Sequence, residues 1–379
     1  MTSHSLDEIN PLLEAACLAQ QFAGAAWSVE RYGEVASAGE VGDQGGIGDR
    51  AVGADTLFDT ASLTKPVATA ASALSLMERG MLRDDASIGR FYPVPDSWRE
   101  ITVRRLLTHT SGLPAYLPLH ETCRGSESIR AGILDASLQA PPGTKYQYSC
   151  LGYILLQGII EQISGLSLDR LAAETVFGPL GMTDTLFRPP ADLLPRVASG
   201  GFCPHLGGLA LGEPHDPLAR AAGGVSGNAG VFSTARDVAR FGSAVLSCAA
   251  GQVNGFLRPE TARLMIENQV DPEIGGHSFG FFTHPNLMLP RGDILPLTSV
   301  GHTGFTGTSL VLSPDEGLSV ALLTNCLHFR QDKTAFFRTR RQFHNLVGVW
   351  AGSSAVRHKR SSRAKSVHES GPRCNIYEI

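Results

Sequence analysis

Apolar residues recur at helical spacing at the start of the chain. Leu6, Ile9, Leu13, Ala16 and Cys17, with Gln20 partly in step, predict an amphipathic helix over residues 6–21. Residues 22–38 then read as two short strands turning at Tyr32-Gly33-Glu34. A Gly-rich stretch follows over 41–53, and a long helical run over 62–79, with Gly80 as its stop. Further helical segments are predicted at 103–107, 126–138, 151–164, 168–176 and 235–246. Residues 189–230 are a long run of Gly, Pro and short turns, and a loop of that length in a compact domain is usually functional or mobile. Late in the chain the period changes. Residues 309–312 and 318–324 are apolar and β-leaning, joined by the turn Pro314-Asp315-Glu316-Gly317, and 342–350 reads as a closing helix.

This order implies that early and late strands meet in one antiparallel sheet. The expected fold is α/β: an antiparallel sheet flanked by helices, with an all-α domain inserted. Residues 1–60 and 297–352 would form the discontinuous sheet domain, and 61–296 a mostly helical domain with the cleft loops. Clefts favour such borders. From Ser353 on, six Lys/Arg stand against two Glu, a charge of +4, while the rest of the chain carries 26 against 34, or −8. That basic segment is expected to be a disordered, solvated tail.

Composition narrows the classes. Of 379 residues, 42% are hydrophobic and 18% charged, which excludes general disorder. The net charge of −4 gives no reason to expect nucleic acid as a partner. Seven cysteines are scattered without C-x-x-C or zinc-ligand spacing, so free thiols and no metal site are expected. Residues 1–10 are polar and acidic, unlike a secretory signal, and no run of apolar residues suffices for a membrane span. A cytoplasmic protein is the expectation.

Ser62-Leu63-Thr64-Lys65 carries the first chemical signal. Ser and Lys three apart at a helix start share one face. An alcohol needs a base beside it to act as a nucleophile, and a buried lysine can be that base. The helix N-terminus favours negative charge developing there. The same spacing recurs as Ser362-Arg363-Ala364-Lys365, but in the tail, with no core around it. Tyr148-Ser149-Cys150 precedes a helix, and a Tyr beside a lysine can relay a proton. Gly301-His302-Thr303-Gly304-Phe305 opens the late strand pair, where small residues let a substrate lie along the edge and a backbone N–H can complete an oxyanion hole.

These three elements, in this order, resemble the serine hydrolases related to class C β-lactamases, a group that includes D-Ala-D-Ala carboxypeptidases and family VIII esterases. Leu106-Leu107-Thr108-His109-Thr110-Ser111-Gly112-Leu113, Pro142-Gly143-Thr144, Pro179-Leu180-Gly181-Met182, Gly223-Gly224-Val225-Ser226-Gly227 and His302-Thr303-Gly304-Phe305-Thr306-Gly307 extend the likeness over about residues 5–350. The resemblance implies Ser62 as acylated nucleophile, Lys65 as its base, Tyr148 as proton shuttle, and the N–H groups of Ser62 and Phe305 as oxyanion hole. It implies no metal or organic cofactor.

Two departures bear on substrate. Penicillin-processing members usually carry Asn at the position of Cys150 and Lys at that of His302. Cys is a weak donor where an amide contact would be made, and His is mostly neutral at pH 7. With Thr303 and Gly304, these are the expected substrate-binding positions. The expected reaction is hydrolysis of a small-molecule carboxylic ester. A β-lactam, a D-Ala-D-Ala peptide or another D-amino-acid amide is the alternative, and a non-catalytic acyl-binding or assembly protein a third. Gly276-His277-Ser278-Phe279-Gly280 also fits the G-x-S-x-G nucleophile elbow, but no strand-to-helix context surrounds it. His109, His205 and His215 are expected to be structural or capping, with His215-Asp216 near the cleft.

Overall fold

The computed structural model describes residues 6–46, 50–203, 206–252, 255–329 and 333–363, with side chains of the last helix described to Gly352. Its centre is an antiparallel sheet of five strands: β1 (Gly24–Arg31), β2 (Glu34–Gly42), β3 (Val300–Thr303), β4 (Ser309–Ser313) and β5 (Leu318–Thr324), in the order β2-β1-β5-β4-β3. The hairpin between β1 and β2 turns on Tyr32 (φ 52°) and Gly33 (φ 85°), the left-handed pair that tight hairpins require. The early and late strands meet as the pattern predicts, with Trp27 opposite Leu322 and Val29 opposite Val320.

Both faces of the sheet are covered. On one, Trp27, Val29, Val311 and Val320 pack with Ile9 and Leu13 of α1 (Ile9–Leu18) and with Phe343 and Val347 of the closing helix Thr334–Arg363. The opposite face, through Ala26, Leu310, Leu312 and Ala321, joins the main core. That face is covered by the helix Ala235–Ala249, which sits close because Gly242 lacks a side chain. A Cβ there would meet Ser319 Oγ at 2.2 Å and Leu312 Cδ2 at 2.3 Å. This helix lies inside the segment expected to be a separate helical domain, yet it serves as a layer of the sheet.

The helical region is built around Cys150–Ser164, buried continuously from Leu151 to Ile160. Ser149 caps its start and Gly165, at φ 71°, ends it. The helix Pro259–Ile266 and a three-stranded sheet of Phe58–Asp59, Val231–Ser233 and Leu186–Phe187 are elements the pattern does not reveal. The closing helix starts earlier than predicted and runs on to Arg363, into the segment expected to be disordered, while 364–379 lie outside the described residues. Among the described residues no single helix is long and apolar enough to cross a membrane.

Candidate active site

The predicted run 62–79 is three kinds of helix in succession. A 3₁₀ turn spans Ala61–Leu63, a π-helical stretch Lys65–Ala70, and an α-helix Ala71–Glu78. The turn opens on Ala61, a non-glycine residue at φ 48°. Asp59 holds it there: Oδ1 accepts the Ala61 N–H at 2.8 Å and Oδ2 the His215 N–H at 2.7 Å. Burial pushes the Asp59 carboxyl up to about 6.

Lys65 lies wholly inside the protein. Its Nζ is 2.8 Å from Ser62 Oγ, 2.9 Å from the Asn228 carbonyl and 3.6 Å from Cys150 Sγ. It makes no ion pair among the described residues, and burial draws its pKa below the ordinary lysine value. The same Nζ faces the Tyr148 ring, 5.0 Å from its centroid. Burial raises the Tyr148 phenol well above its usual range, and the bond to Ser62 only partly offsets this. The phenol is therefore protonated at neutral pH.

Three neutral histidines stand behind Tyr148. His109 packs on it with ring centroids 4.4 Å apart, and His302 at 5.8 Å. His277 meets His109 edge-on at 4.8 Å. Burial holds all three below the ordinary histidine pKa, His277 at about 3. Their tautomers follow from backbone partners. Nδ1 of His109 accepts the Ser149 N–H, so its Nε2 carries the proton. Nδ1 of His277 and of His302 donates to the carbonyls of Ser278 and Thr303, leaving Nε2 bare. None of these Nε2 atoms has a hydrogen-bond partner among the described residues. The approach of His109 to Tyr148 has no signal in the sequence beyond the motif that holds it.

His302 departs from its expected place. It is fully buried and stacked on Phe282 at 4.5 Å, and it lines no part of the cleft. Burial beside an aromatic ring, with one nitrogen committed to a backbone carbonyl, turns it into support for Tyr148. Thr303, Gly304, Phe305 and Cys150 do line the cleft. Ser278 is also fully buried, with Oγ bonded to the Met265 carbonyl and to Phe281, and no helix follows it. His215 lines the cleft beside Asp216, and its ring lies 5.7 Å from that of Phe305. His205 is outside the described residues.

The loop after β3 is stitched to the Ser62 turn. Thr306 Oγ1 donates to the Asp59 carbonyl at 2.7 Å, and Thr308 Oγ1 to the Thr60 carbonyl at 3.0 Å. Gly304 permits the approach, since a Cβ would meet Thr308 Oγ1 at 2.0 Å and Thr60 O at 2.5 Å. The backbone N–H groups of Ser62 and Phe305 make no hydrogen bond among the described residues. Two cavities meet at Ser62, Tyr148 and Phe305. One, of 420 Å³, also takes in Tyr116, Cys150, His215 and Pro217. The other, of 560 Å³, runs past Thr303 and Gly304 to Leu287–Pro290 and the start of the closing helix.

A family model described as Beta-lactamase matches residues 10–342. The chain belongs to the beta-lactamase family. A relative from Escherichia coli (strain K12), named "Putative D-alanyl-D-alanine carboxypeptidase", is 30% identical over 72% of this chain and 70% of its own. Penicillin-binding protein 4 of Amycolatopsis lactamdurans is 30% identical over 80% of this chain and 79% of its own. Among solved structures, EstCE1, a hydrolase with promiscuous acyltransferase activity, superposes with a TM-score of 0.73 at 22% identity, covering 89% and 98% of the two chains. The simvastatin synthase LovD of Aspergillus terreus, as the LovD6 mutant, gives 0.71 at 19% identity over 93% and 98%. These likenesses establish the family's fold, an antiparallel sheet flanked by helices, and a hydrolase of the serine type.

Proposed function

We propose that the protein hydrolyses carboxylic esters through an acyl-Ser62 intermediate. The observation that carries this reading is the 2.8 Å approach of a buried, unpaired Lys65 amine to Ser62 Oγ. A lysine whose charged form is disfavoured by burial is a base, and here it has one hydroxyl to deprotonate. The Ser62 oxygen attacks the ester carbonyl, and its proton passes to Lys65. The N–H groups of Ser62 and Phe305, unbonded among the described residues, stabilise the charge that develops on the carbonyl oxygen. Tyr148, a protonated phenol held against Ser62, supplies a proton to the departing alkoxide. Water then enters by the reverse of these transfers and frees the acid.

The preference for esters rests on Cys150 at the cleft wall, where no side-chain amide is offered to an amide substrate, and on the absence of a strand cation at His302. The names of the curated relatives favour a second reading, D-Ala-D-Ala peptide hydrolysis. Assays with p-nitrophenyl butyrate, nitrocefin and a D-Ala-D-Ala peptide separate the two. Greater kcat/KM on nitrocefin or the peptide than on the ester would overturn the ester reading. A fluorophosphonate probe is expected to label Ser62, with labelling lost in Ser62→Ala.

A further inference from the structure

Three walls of the cleft are anchored on one buried residue, Asp59, at the end of the short strand Phe58–Asp59. Its main-chain carbonyl accepts Thr306 Oγ1 from the Phe305 loop. Its side chain commits one oxygen to the Ala61 N–H, at the head of the Ser62 turn. The other oxygen accepts the N–H of His215, 156 positions away. The segment that carries His215 is braced further. Arg220 Nη1 donates to the carbonyls of Pro214 at 2.8 Å and His215 at 3.0 Å. Asp216 caps the helix Pro217–Ala221 by accepting the Ala219 N–H at 2.8 Å. The His215 ring is thereby set in the wall of the 420 Å³ cavity, against the ring of Phe305.

The presence of an acid at this position is informative. A buried carboxylate is costly, and an Asn or Ser would suffice to hold one N–H. A carboxylate offers two acceptor oxygens and no donor, one oxygen for each of the two segments. Ala61 sits at φ 48°, a conformation that a non-glycine residue keeps only where its surroundings hold it. We propose that Asp59 is a positioning residue for the reaction, its side chain locking the Ser62 turn and the His215 wall of the smaller cavity into one register. The inference rests on the acyl-Ser62 reading and extends it to what places the nucleophile. Burial, with Asp216 adding to it, pushes the Asp59 carboxyl up to about 6, against the two N–H bonds and Arg220. It is therefore ionised at pH 7. Protonation would turn one oxygen into a donor and release one of the two N–H groups. The charged groups that face it, Asp216 and Arg220, both belong to the His215 segment, and the His215 imidazole is the titratable side chain beside them.

Asp59→Asn tests this, since it keeps the shape, loses one acceptor and removes the buried charge. It is expected to lower kcat for p-nitrophenyl butyrate, and the rate of fluorophosphonate labelling, by about tenfold to a hundredfold. The urea midpoint should hold, because the lost bond and the relieved burial of charge offset each other. Asp59→Glu, with both acceptors on a longer arm, should recover part of the rate at pH 7. In the wild type, kcat should show an inflection at about pH 6 that Asp59→Asn lacks. Wild-type rates in Asp59→Asn, or a loss of rate matched by a loss of stability, would overturn the inference and leave the acyl-Ser62 reading standing. Persistence of the inflection in Asp59→Asn would assign it to His215 or Lys65 and also overturn the inference. If no ester is cleaved and Ser62 is not labelled, the acyl-Ser62 reading falls, and hydrogen exchange tests Asp59 alone. Protection of the amides of 59–63 and 213–217, corrected for intrinsic rates, should fall together between pH 7 and pH 5 in the wild type. Protection that does not change with pH would overturn the inference.

Discussion

Thr306 Oγ1 donates a hydrogen bond to the carbonyl of Asp59, joining the loop that carries Phe305 to the turn that carries Ser62. The spacing of the two proposed oxyanion donors therefore depends on a contact between residues 247 positions apart. Thr306→Val removes the bond and keeps the shape. It is expected to lower kcat by about tenfold to a hundredfold, within the range of a weakened oxyanion donor, with a smaller change in KM for p-nitrophenyl butyrate. Unaltered kcat would show that the loop holds its position without this bond.

Gly304 bears on the same joint from the other side. Gly304→Ala forces a methyl onto Thr308 Oγ1 and the Thr60 carbonyl. Displacing that backbone should cost about 1–3 kcal/mol of stability and most of the activity. Urea unfolding and ester assays on the same preparation would reveal both losses, and a fully active Ala variant would contradict the geometry.

Lys65 and Tyr148 are expected to act with Ser62 as one unit. Lys65→Ala and Tyr148→Phe should each lower kcat by about 10² or more. The double variant should be little worse than the poorer single one, because groups that act as a unit are not additive. Additive losses in the double variant would separate their roles.

Acid should weaken the fold through its buried histidines. His277 and His344 have folded pKa values of about 3 against 6.5 in the free side chain. Between those limits the unfolded chain binds more protons, so stability falls as pH falls, by up to about 1.4 kcal/mol per pH unit for each group. Above pH 6.5 the contribution is fully present. His344→Gln should flatten the slope of unfolding free energy between pH 6 and 4. An unchanged slope would mean that His344 takes up its proton as readily in the folded protein as in the unfolded chain, and would overturn the depressed value.

His302→Lys is a further diagnostic. A lysine there would place an ammonium against Phe282 and Tyr148 with no carboxylate beside it among the described residues. It should destabilise by about 3 kcal/mol or more, the cost of an unpaired buried charge, rather than create a carboxylate site. Cys150→Asn, at the cleft wall, should instead raise kcat/KM for nitrocefin relative to the butyrate ester. A stable His302→Lys protein that gains nitrocefin hydrolysis would return residue 302 to the substrate surface.

The parts of this site that were legible in the sequence are those written as local spacing. Ser62 and Lys65 are three apart, Tyr148 stands just before a helix cap, and Thr303-Gly304-Phe305 stand ahead of the late strand pair. The hairpin at Tyr32-Gly33 and the pairing of early with late strands follow from alternation and turn chemistry. What the sequence does not disclose depends on residues that meet only after folding. Asn228 offers Lys65 a main-chain carbonyl, which any residue could supply. His109 reaches Tyr148 across 39 positions, and the inward burial of His302 depends on Phe282 occupying the space beside it. The π-helical stretch at Lys65–Ala70 is equally silent, since its residues suit an ordinary α-helix.

The sheet order β2-β1-β5-β4-β3 has a consequence for biosynthesis. On the ribosome, β1 and β2 emerge nearly 300 residues before β5, the strand that pairs with the free side of β1. Until then the buried strand β1 has an open edge, a site for association with other nascent chains. Closure of so long a loop also makes assembly of the sheet slow. The wall of the cleft that holds Phe305 and Arg340 is translated long after Ser62 and Lys65, so a chain stalled before residue 300 can carry the serine and the lysine and still have no pocket in which to use them.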